Sequence, residues 1–560
     1  MAELEPFPSL VELLAKRAAS QPDARAYLFL SDRGTEEAAL TFRQLHDAAD
    51  ACAVRLRAVA RPGERALLVF PPGLEFIVAF FGCLIAGIVA VPMMMPRRQS
   101  ARDASAAIIA NCEPAVALTS AAFANRQDLQ ARFAREGLRW LPVELDVPPV
   151  ATPDRPAAPQ PHDIAFLQYT SGSTSKPKGV AVSHANLLAN LEMIRCALGN
   201  TDQSTYVNWV PLYHDMGLIL NTLQTLYVGS LCVLMAPNAF TQRPLNWLRA
   251  IHDYRAEVAC SPNFGYDLCV NRYRADQMQG IDLSCWKVAL NGAEPVHAET
   301  IDRFIKTFAG HGFDGNAAYP AYGMAEATLL ISGGRRGAGH VTRTVGSAAQ
   351  PLVGCGRALV NEQIAIVEPD RRTRLAPHQV GEIWVHGPNV ARAYWNNPEA
   401  TEAELNAAIA GEDSAPWLRT GDLGFLDEAG ELYVTGRIKD LIIIRGINHY
   451  PQDIERSVQA AHPALRPNCG AAFSVADERG EETLVIVQEI ERTERNRIDP
   501  AEIKGLIRES VTEQHELFAR HIVLIRPGAL PKTTSGKIQR SLARRLWLDG
   551  NFDDLAADAD

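Results

Sequence analysis

The sequence has no excess of positive charge. Lysine and arginine number 55 against 65 aspartates and glutamates, a formal net charge of −10 over 560 residues. A DNA duplex or an anionic bilayer selects for basic patches, so no nucleic acid is expected as partner, and small molecules or a protein are the better candidates. Cysteine is present ten times, but without any C-x-x-C pair or Cys/His cluster. That removes a zinc site from consideration and leaves reduced, buried thiols in a cytoplasmic protein. The opening MAELEPFPSL is acidic and lacks the basic-then-apolar order of an export signal. A membrane-length apolar run is missing too: the longest candidate, FIVAFFGCLIAGIVAV at 76–91, is sixteen residues closed by Pro92, short of the roughly 18–20 that a spanning helix needs. Gly87 inside it reads as the stop of a buried helix, and the residues after it as a strand, so no integral membrane association is expected.

Core-forming residues are plentiful. With 47% hydrophobic residues in 560, the chain is too long for one core and predicts two or more domains. Short apolar runs (ALLVF, VAVPMMM, AVALTS, IAFLQYT) alternate with helical patterns (LLAKRAASQ, FRQLHDAADACAVRLRAVA), the signature of α/β layers with largely parallel, buried strands. The Pro-rich passage at 142–161 reads as a surface connection, because the alternation resumes beyond it. After Gly381 the pattern changes to GEIWVHG and GELYVTGR, short alternating strands with glycine turns, which predicts a small antiparallel sheet or barrel. From about Lys439 onward a compact α+β unit follows, with QDIERSVQAA and PAEIKGLIRESVTEQ as helices and ETLVIVQEI and HIVLIRPG as strands.

One stretch carries chemistry on its face. YTSGSTSKPKGV at 169–180 gathers hydroxyls, two glycines and two lysines directly after an apolar strand, the equipment for wrapping a polyphosphate with backbone N–H groups, hydroxyls and positive charge. It is not the ordinary P-loop, whose G-x-x-x-x-G-K-[ST] spacing fails here, and taken alone it is also compatible with a polar connector. GALPKTTSGKIQRSLARR at 528–545 repeats the composition near the other end. Two anion-binding segments in two domains suggest a ligand held between them and completed by closure.

Six motifs in order, YTSGSTSKPKGV, NGAEP at 291–295, AYGMAEAT at 321–328, RTGDLG at 419–424, GRIKD at 436–440 and PKTTSGKIQR at 531–540, resemble the core motifs of the adenylate-forming superfamily. VPLYHDMGLI at 210–219 and IIIRGINHYPQDIE at 442–455 resemble the versions found in fatty acyl-AMP ligases. The resemblance spans essentially the whole chain. It implies a large N-terminal domain, residues 1–438, of layered α/β subdomains plus a small β-barrel-like subdomain, and a small mobile α+β C-terminal domain, 439–560. It also implies ATP and Mg²⁺ as cofactors, a medium- or long-chain fatty acid as substrate, and the phosphopantetheine thiol of a holo acyl carrier protein as acceptor. No covalent enzyme intermediate is expected, since AMP is the leaving group.

Residue by residue, the resemblance puts Thr170, Ser171, Gly172, Ser173, Thr174, Lys176 and Lys178 in a loop cradling the β- and γ-phosphates. Glu326 matches the Mg²⁺ carboxylate and Thr328 an α-phosphate contact. Tyr322, with Gly323 and Met324 beside it, would stack on adenine, and Asn291, Gly292, Ala293 and Glu294 would line the base. Asp422 would accept hydrogen bonds from the ribose hydroxyls, and Arg437 would contact the nucleotide. Lys537 matches the catalytic lysine that approaches substrate carboxylate and α-phosphate, where a cation offsets the charge of two meeting anions. Lys439 matches the hinge about which the small domain rotates between half-reactions. His214, beside Asp215, would gate the acyl pocket, whose candidate walls are Tyr213, Met216, Ile219, Phe264 and Tyr266. A basic patch including Arg540, Arg544 and Arg545 would dock an acidic carrier.

Two departures stand out. The segment 332–356 is short for the insertion that such ligases carry after YGMAEAT and that is thought to limit coenzyme A use, and Ile447 stands where a basic residue is expected. The nearest rival reading is therefore an acyl-CoA synthetase, which would share every nucleotide contact. A nucleotide- or lipid-binding module without activity is disfavoured by the joint presence of Lys537, Glu326 and Asp422.

Overall fold

The computed structural model describes residues 7–95, 105–126, 130–133, 138–146, 157–170, 177–344, 351–412, 416–444, 447–477, 482–495, 497–533 and 536–555. The large N-terminal part is built on two mixed sheets. A seven-stranded sheet carries, in spatial order, Ala393–Tyr394, Lys178–Ser183, Ile164–Thr170, Val89–Met93, Arg65–Val69, Val116–Ser120 and Arg139–Val143. A nine-stranded sheet runs from Arg357–Ala358 through Leu330–Gly333, Ala318–Gly323, Val288–Asn291, Val258–Ser261, Tyr206–Asn208, Cys232–Met235 and Arg25–Leu30 to Glu36–Thr41. The interior pairs are parallel, as the uninterrupted apolar runs predict, and the antiparallel pairs sit toward the margins.

The apolar run at 76–91 behaves as read. Glu75–Ala86 is a helix with residues 76–86 all buried, Gly87 ends it in the left-handed conformation (φ 70°), and Val89–Met93 enters the sheet. At Gly82 a side chain would strike Cys52, so glycine lets this helix lie directly against Phe42–Arg57. That neighbour starts at a full capping box between Thr41 and Gln44. One contiguous core runs from Leu10 to Leu432.

The strands Gln363–Val367, Gly381–His386, Leu418–Leu426 and Leu432–Arg437 form an antiparallel sheet. This is the small β subdomain that the change of pattern after Gly381 predicts. Beyond it, Leu465–Ala476, Glu482–Ile490 and Ala519–Ile525 make a three-stranded sheet buried on both faces. Its side chains divide with period two: Ala472, Leu484 and Ile486 pack toward the helices Pro451–Ala460 and Pro500–His515, while Ala471, Phe473, Val485 and Val487 pack toward Arg540–Leu548. These two cores draw only on residues from Ile442 onward.

All ten cysteines are free and eight are buried. Among the described residues no helix is long and apolar enough to cross a membrane.

Candidate active site

The two strands that flank the expected phosphate loop are described. Ile164–Thr170 and Lys178–Ser183 pair antiparallel, with Thr170 opposite Lys178 closing the ladder. Ser171, Gly172, Ser173, Thr174 and Lys176 lie outside the described residues. Lys178 does not project freely toward a ligand: its Nζ lies 2.6 and 2.7 Å from the two carboxylate oxygens of Glu404 and 4.6 Å from the centre of the Tyr394 ring.

Tyr394 links this pair to Glu326. Its hydroxyl lies 3.0 Å from Glu326 Oε1 and 2.9 Å from Glu404 Oε2. A phenol has one proton to donate, so two carboxylates compete for it. Burial raises the pKa of Glu326, and burial together with the two carboxylates raises that of Tyr394. Neither Tyr394 nor Glu404 was foreseen. Their signal in the sequence is faint: they sit in AYWNNPEATEAEL, far along the chain from both partners.

The backbone around Glu326 is held in an uncommon form. Thr328 has φ 66° and ψ −60°, and the Leu329 N–H donates to the Ala327 carbonyl at 2.7 Å, which is a γ-turn of the rare hand. A β-branched residue in this conformation costs about 1–3 kcal/mol and persists only where its surroundings enforce it. Here the Thr328 hydroxyl donates to the Asn389 carbonyl at 2.6 Å, and Asn389 Nδ2 donates to the Ala327 carbonyl at 3.2 Å and to Glu362 Oε1 at 2.9 Å. Gly323 stands where a Cβ would overlap the Leu329 carbonyl. Met324 donates its N–H to that same carbonyl at 2.9 Å.

Asp422 is buried on Leu418–Leu426 and engaged by protein donors on both oxygens. The Tyr322 hydroxyl donates to Oδ2 at 2.8 Å and Arg437 Nε donates to Oδ1 at 2.7 Å. Each oxygen keeps a second lone pair for another donor. The tyrosine ring is thereby fixed in orientation. Asp422 chiefly accounts for the raised pKa of Arg437.

The NGAEP turn closes another wall. Asn291 ends the strand Val288–Asn291, and its Nδ2 donates to Asn263 Oδ1 at 3.0 Å, which also accepts the His297 N–H at 3.1 Å. Asn263 in turn donates to the Pro295 carbonyl at 2.8 Å, stapling the turn. At Gly292 a Cβ would come within 2.9 Å of the Ala321 carbonyl oxygen, and Ala293 adopts φ 70°. Burial raises the pKa of Glu294.

His214 and Asp215 form a close pair, Nδ1 to Oδ1 at 2.6 Å, at the entry of a π-helix, Met216–Leu223. Eight residues of π-helix are unusual, and such segments gather at functional sites. Met216 and Ile219 are buried on it; Tyr213 precedes it, half-buried. Phe264 stands edge-on to Trp209, 5.4 Å between ring centres, and Tyr266 donates to the Leu290 carbonyl at 2.9 Å. Beside Tyr266 lies a cavity of about 10 Å³, bordered by Ala289, Asn291, Phe304 and Tyr319. That is room for one water and not for an acyl chain.

The C-terminal segment reaches into this ring of groups. Thr533 donates its N–H to the Lys537 carbonyl at 2.7 Å and its hydroxyl accepts the Lys537 N–H at 3.0 Å, so Lys537 sits on a tight loop with Gly536 at φ 87°. Lys537 is exposed; desolvation and the Arg437 guanidinium lower its pKa, against the opposing charges of Asp215, Glu294 and Asp422. Burial pushes Asp215 up, and His214, Lys537 and the Met216 N–H together bring it below the usual carboxylate range. Lys439 is exposed on the short turn Ile438–Asp440.

One expectation fails outright. Arg540 is not part of a docking patch, because all three guanidinium nitrogens are committed to Glu455 and Asp440. Arg544 and Arg545 are exposed.

The model of the AMP-binding enzyme family matches residues 14–395, and that of the Disco-interacting protein 2-like AMP domain matches 439–556. The chain is 42% identical to the medium-chain-fatty-acid–[acyl-carrier-protein] ligase JamA of Moorena producens, covering 98% of this chain and 97% of that protein. It is 35% identical to the corresponding ligase TtuA of Teredinibacter turnerae, covering 97% and 94%. Among solved structures, a fatty acyl-adenylate ligase of Legionella pneumophila in complex with acyl adenylate and pyrophosphate is 40% identical, with a TM-score of 0.73 over 98% of each chain. A structure from a study of such ligases of E. coli and L. pneumophila is 32% identical, with a TM-score of 0.84 over 97% of this chain and 98% of that one. With a family model matching most of its length and relatives of this kind along the whole of it, the chain belongs to the AMP-binding enzyme family and, within it, to the fatty acyl-AMP ligases.

Proposed function

We propose that the protein activates a medium- or long-chain fatty acid with ATP, forming acyl-adenylate and releasing pyrophosphate, and passes the acyl group to the phosphopantetheine thiol of a holo acyl carrier protein in the cytoplasm. The observation that supports this reading is that Lys537 feels the charges of Asp215, Glu294, Asp422 and Arg437 together. A lysine there can neutralise charge as a fatty carboxylate approaches an α-phosphate, an effect often worth about 3–4 kcal/mol. Tyr322, fixed by Asp422, offers a flat face for adenine. Asp422 keeps lone pairs for the ribose hydroxyls, and Asn291 to Glu294 line the base.

Among the described residues no cluster of three or more acidic, histidine or cysteine side chains could cage a metal. Mg²⁺ is usually held by one or two carboxylates together with substrate phosphates, and Glu326 and Glu404 lie on either side of the Tyr394 hydroxyl. Glu326 would hold it, and the ion would supply charge neutralisation between triphosphate and carboxylate. Lys178 would exchange Glu404 for phosphate when ATP binds. Thr328 would reach the α-phosphate by releasing Asn389. We divide the chain at 438/439 and assign Lys439 as the hinge. The arrangement described then corresponds to the adenylating state, and rotation would remove Lys537 to admit the thiol. Two solved relatives whose TM-scores run opposite to their identities are in keeping with a variable angle between domains. His214 would close the acyl pocket formed by Tyr213, Met216, Ile219, Phe264 and Tyr266, which must open beyond the small cavity beside Tyr266.

The test offers ATP, Mg²⁺ and a fatty acid with either free coenzyme A or holo carrier protein. Acyl-carrier thioester in one tube and acyl-AMP alone in the other is the expected result. Efficient acyl-CoA formation would favour the second reading, to which a 37% identical relative of Mycobacterium tuberculosis, named as a fatty-acid–CoA ligase, and the short segment 332–356 both lean. Lys537→Ala is expected to abolish adenylate formation.

A further inference from the structure

The loop that carries Lys537 is tied to the segment immediately after Lys439 by a single side chain. Arg540 is the first residue of the helix Arg540–Leu548, three positions beyond Lys537. Its Nε and Nη2 donate to the two oxygens of Glu455, each at 2.7 Å, and its Nη1 donates to Asp440 Oδ2 at 3.1 Å. Glu455 is buried on Pro451–Ala460 and is itself held by the Ala472 N–H at 3.0 Å. Asp440 follows Lys439 directly and lies three residues from Arg437, which grips Asp422.

Several features argue that this bond set is selected for geometry. A cation in the first turn of a helix is opposed by the helix dipole, so the position is costly without its acidic partners. The bidentate fork to Glu455 fixes the guanidinium plane, and the remaining nitrogen then reaches one place only. The other arm of the loop is pinned separately, by Lys532 Nζ on the Asn468 carbonyl at 2.6 Å. Between these anchors the backbone closes through Gln539 N–H to the Pro531 carbonyl at 3.0 Å.

We propose that Arg540 and Asp440 are positioning residues: the Arg540 guanidinium, shared between Glu455 and Asp440, couples the Lys537 loop to the hinge, so that rotation at Lys439 delivers Lys537 into the cleft as part of a rigid unit. The proposal rests on the reading of Lys537 and Lys439 given above. Asp440→Asn weakens only the arm toward the hinge and leaves the buried Arg540–Glu455 pair intact. Arg540→Lys keeps the charge but cannot span both carboxylates.

In the full-length protein, single-turnover acyl-AMP formation is measured alongside acyl transfer from purified acyl-AMP to holo carrier protein, with KM for ATP and thermal midpoint recorded for each variant. Misplacing a catalytic group by an ångström can cost about 100-fold, so both variants are expected to slow adenylation by about 10- to 100-fold. KM for ATP and the transfer step should stay close to wild type, and Asp440→Asn should melt as wild type does. Adenylation at the wild-type rate in both variants, or adenylation and transfer falling together with the thermal midpoint, would overturn the proposal. Lys537→Ala in parallel separates the causes: if it is inactive while both variants are normal, only the positioning role is lost; if it still adenylates, the reading of the site fails and the proposal with it.

Discussion

Glu362 provides a test of how the site is buttressed. Its carboxyl is buried beneath the Thr328 turn, receives one hydrogen bond at 2.9 Å from Asn389, and has its other oxygen without a partner. Burial drives its pKa from the ordinary 4.5 up to about 8. Between those two values the folded protein holds a proton that the unfolded chain has released. The contribution of this group is therefore fully present below 4.5 and is lost as the pH rises toward 8. The loss is about 1.4 kcal/mol per pH unit, on the order of 4 kcal/mol between pH 5 and 8. Glu362→Gln removes the titration and retains the acceptor facing Asn389. Urea midpoints followed by tryptophan fluorescence will report chiefly on this part of the chain, since seven of the eight tryptophans precede residue 439. Wild type and variant should approach each other at acid pH and separate steadily toward pH 8, with the variant the more stable. A constant offset across that range, or wild type gaining on the variant as pH rises, would refute the assignment of a protonated, desolvated carboxyl.

Tyr394→Phe removes the donor shared by Glu326 and Glu404; it should lower stability by about 1–3 kcal/mol and slow adenylation, read from urea midpoints and initial rates. Unchanged values in both would mean that the hydroxyl does not orient Glu326. Gly323→Ala sets a methyl against the Leu329 carbonyl and should destabilise by about 1–3 kcal/mol, lowering the thermal midpoint and weakening ATP binding by calorimetry.

Local chemistry made some features legible and tertiary contact hid others. The helix and strand at 76–91 could be read because Gly87 interrupts the apolar run with a residue suited to the left-handed conformation it adopts. The expectation of a phosphate loop rests on a composition that is extreme over a dozen residues, six of which lie outside the described ones. Glu404 and Tyr394 could not be read, since Glu404 meets Lys178 across 226 positions and Tyr394 meets Glu326 across 68. Arg540 was misread for the same reason: RSLARR looks like a solvated basic face, and the carboxylate that claims its first residue lies 85 positions upstream. No pattern in the sequence marks Glu362 as buried; that follows only from Asn389 and the γ-turn folding over it.

The strand Lys178–Ser183 lies between Ile164–Thr170 and Ala393–Tyr394, with Val180 opposite both Gln168 and Tyr394. One short ribbon thus sets the phase of Lys178 and of the tyrosine beside Glu326 at once. Because side chains alternate along a ribbon, an insertion or deletion of one residue inside it inverts the face each side chain shows. The residue count of the ribbon therefore matters to the unit, since an error of one would unseat Lys178 and Tyr394 together.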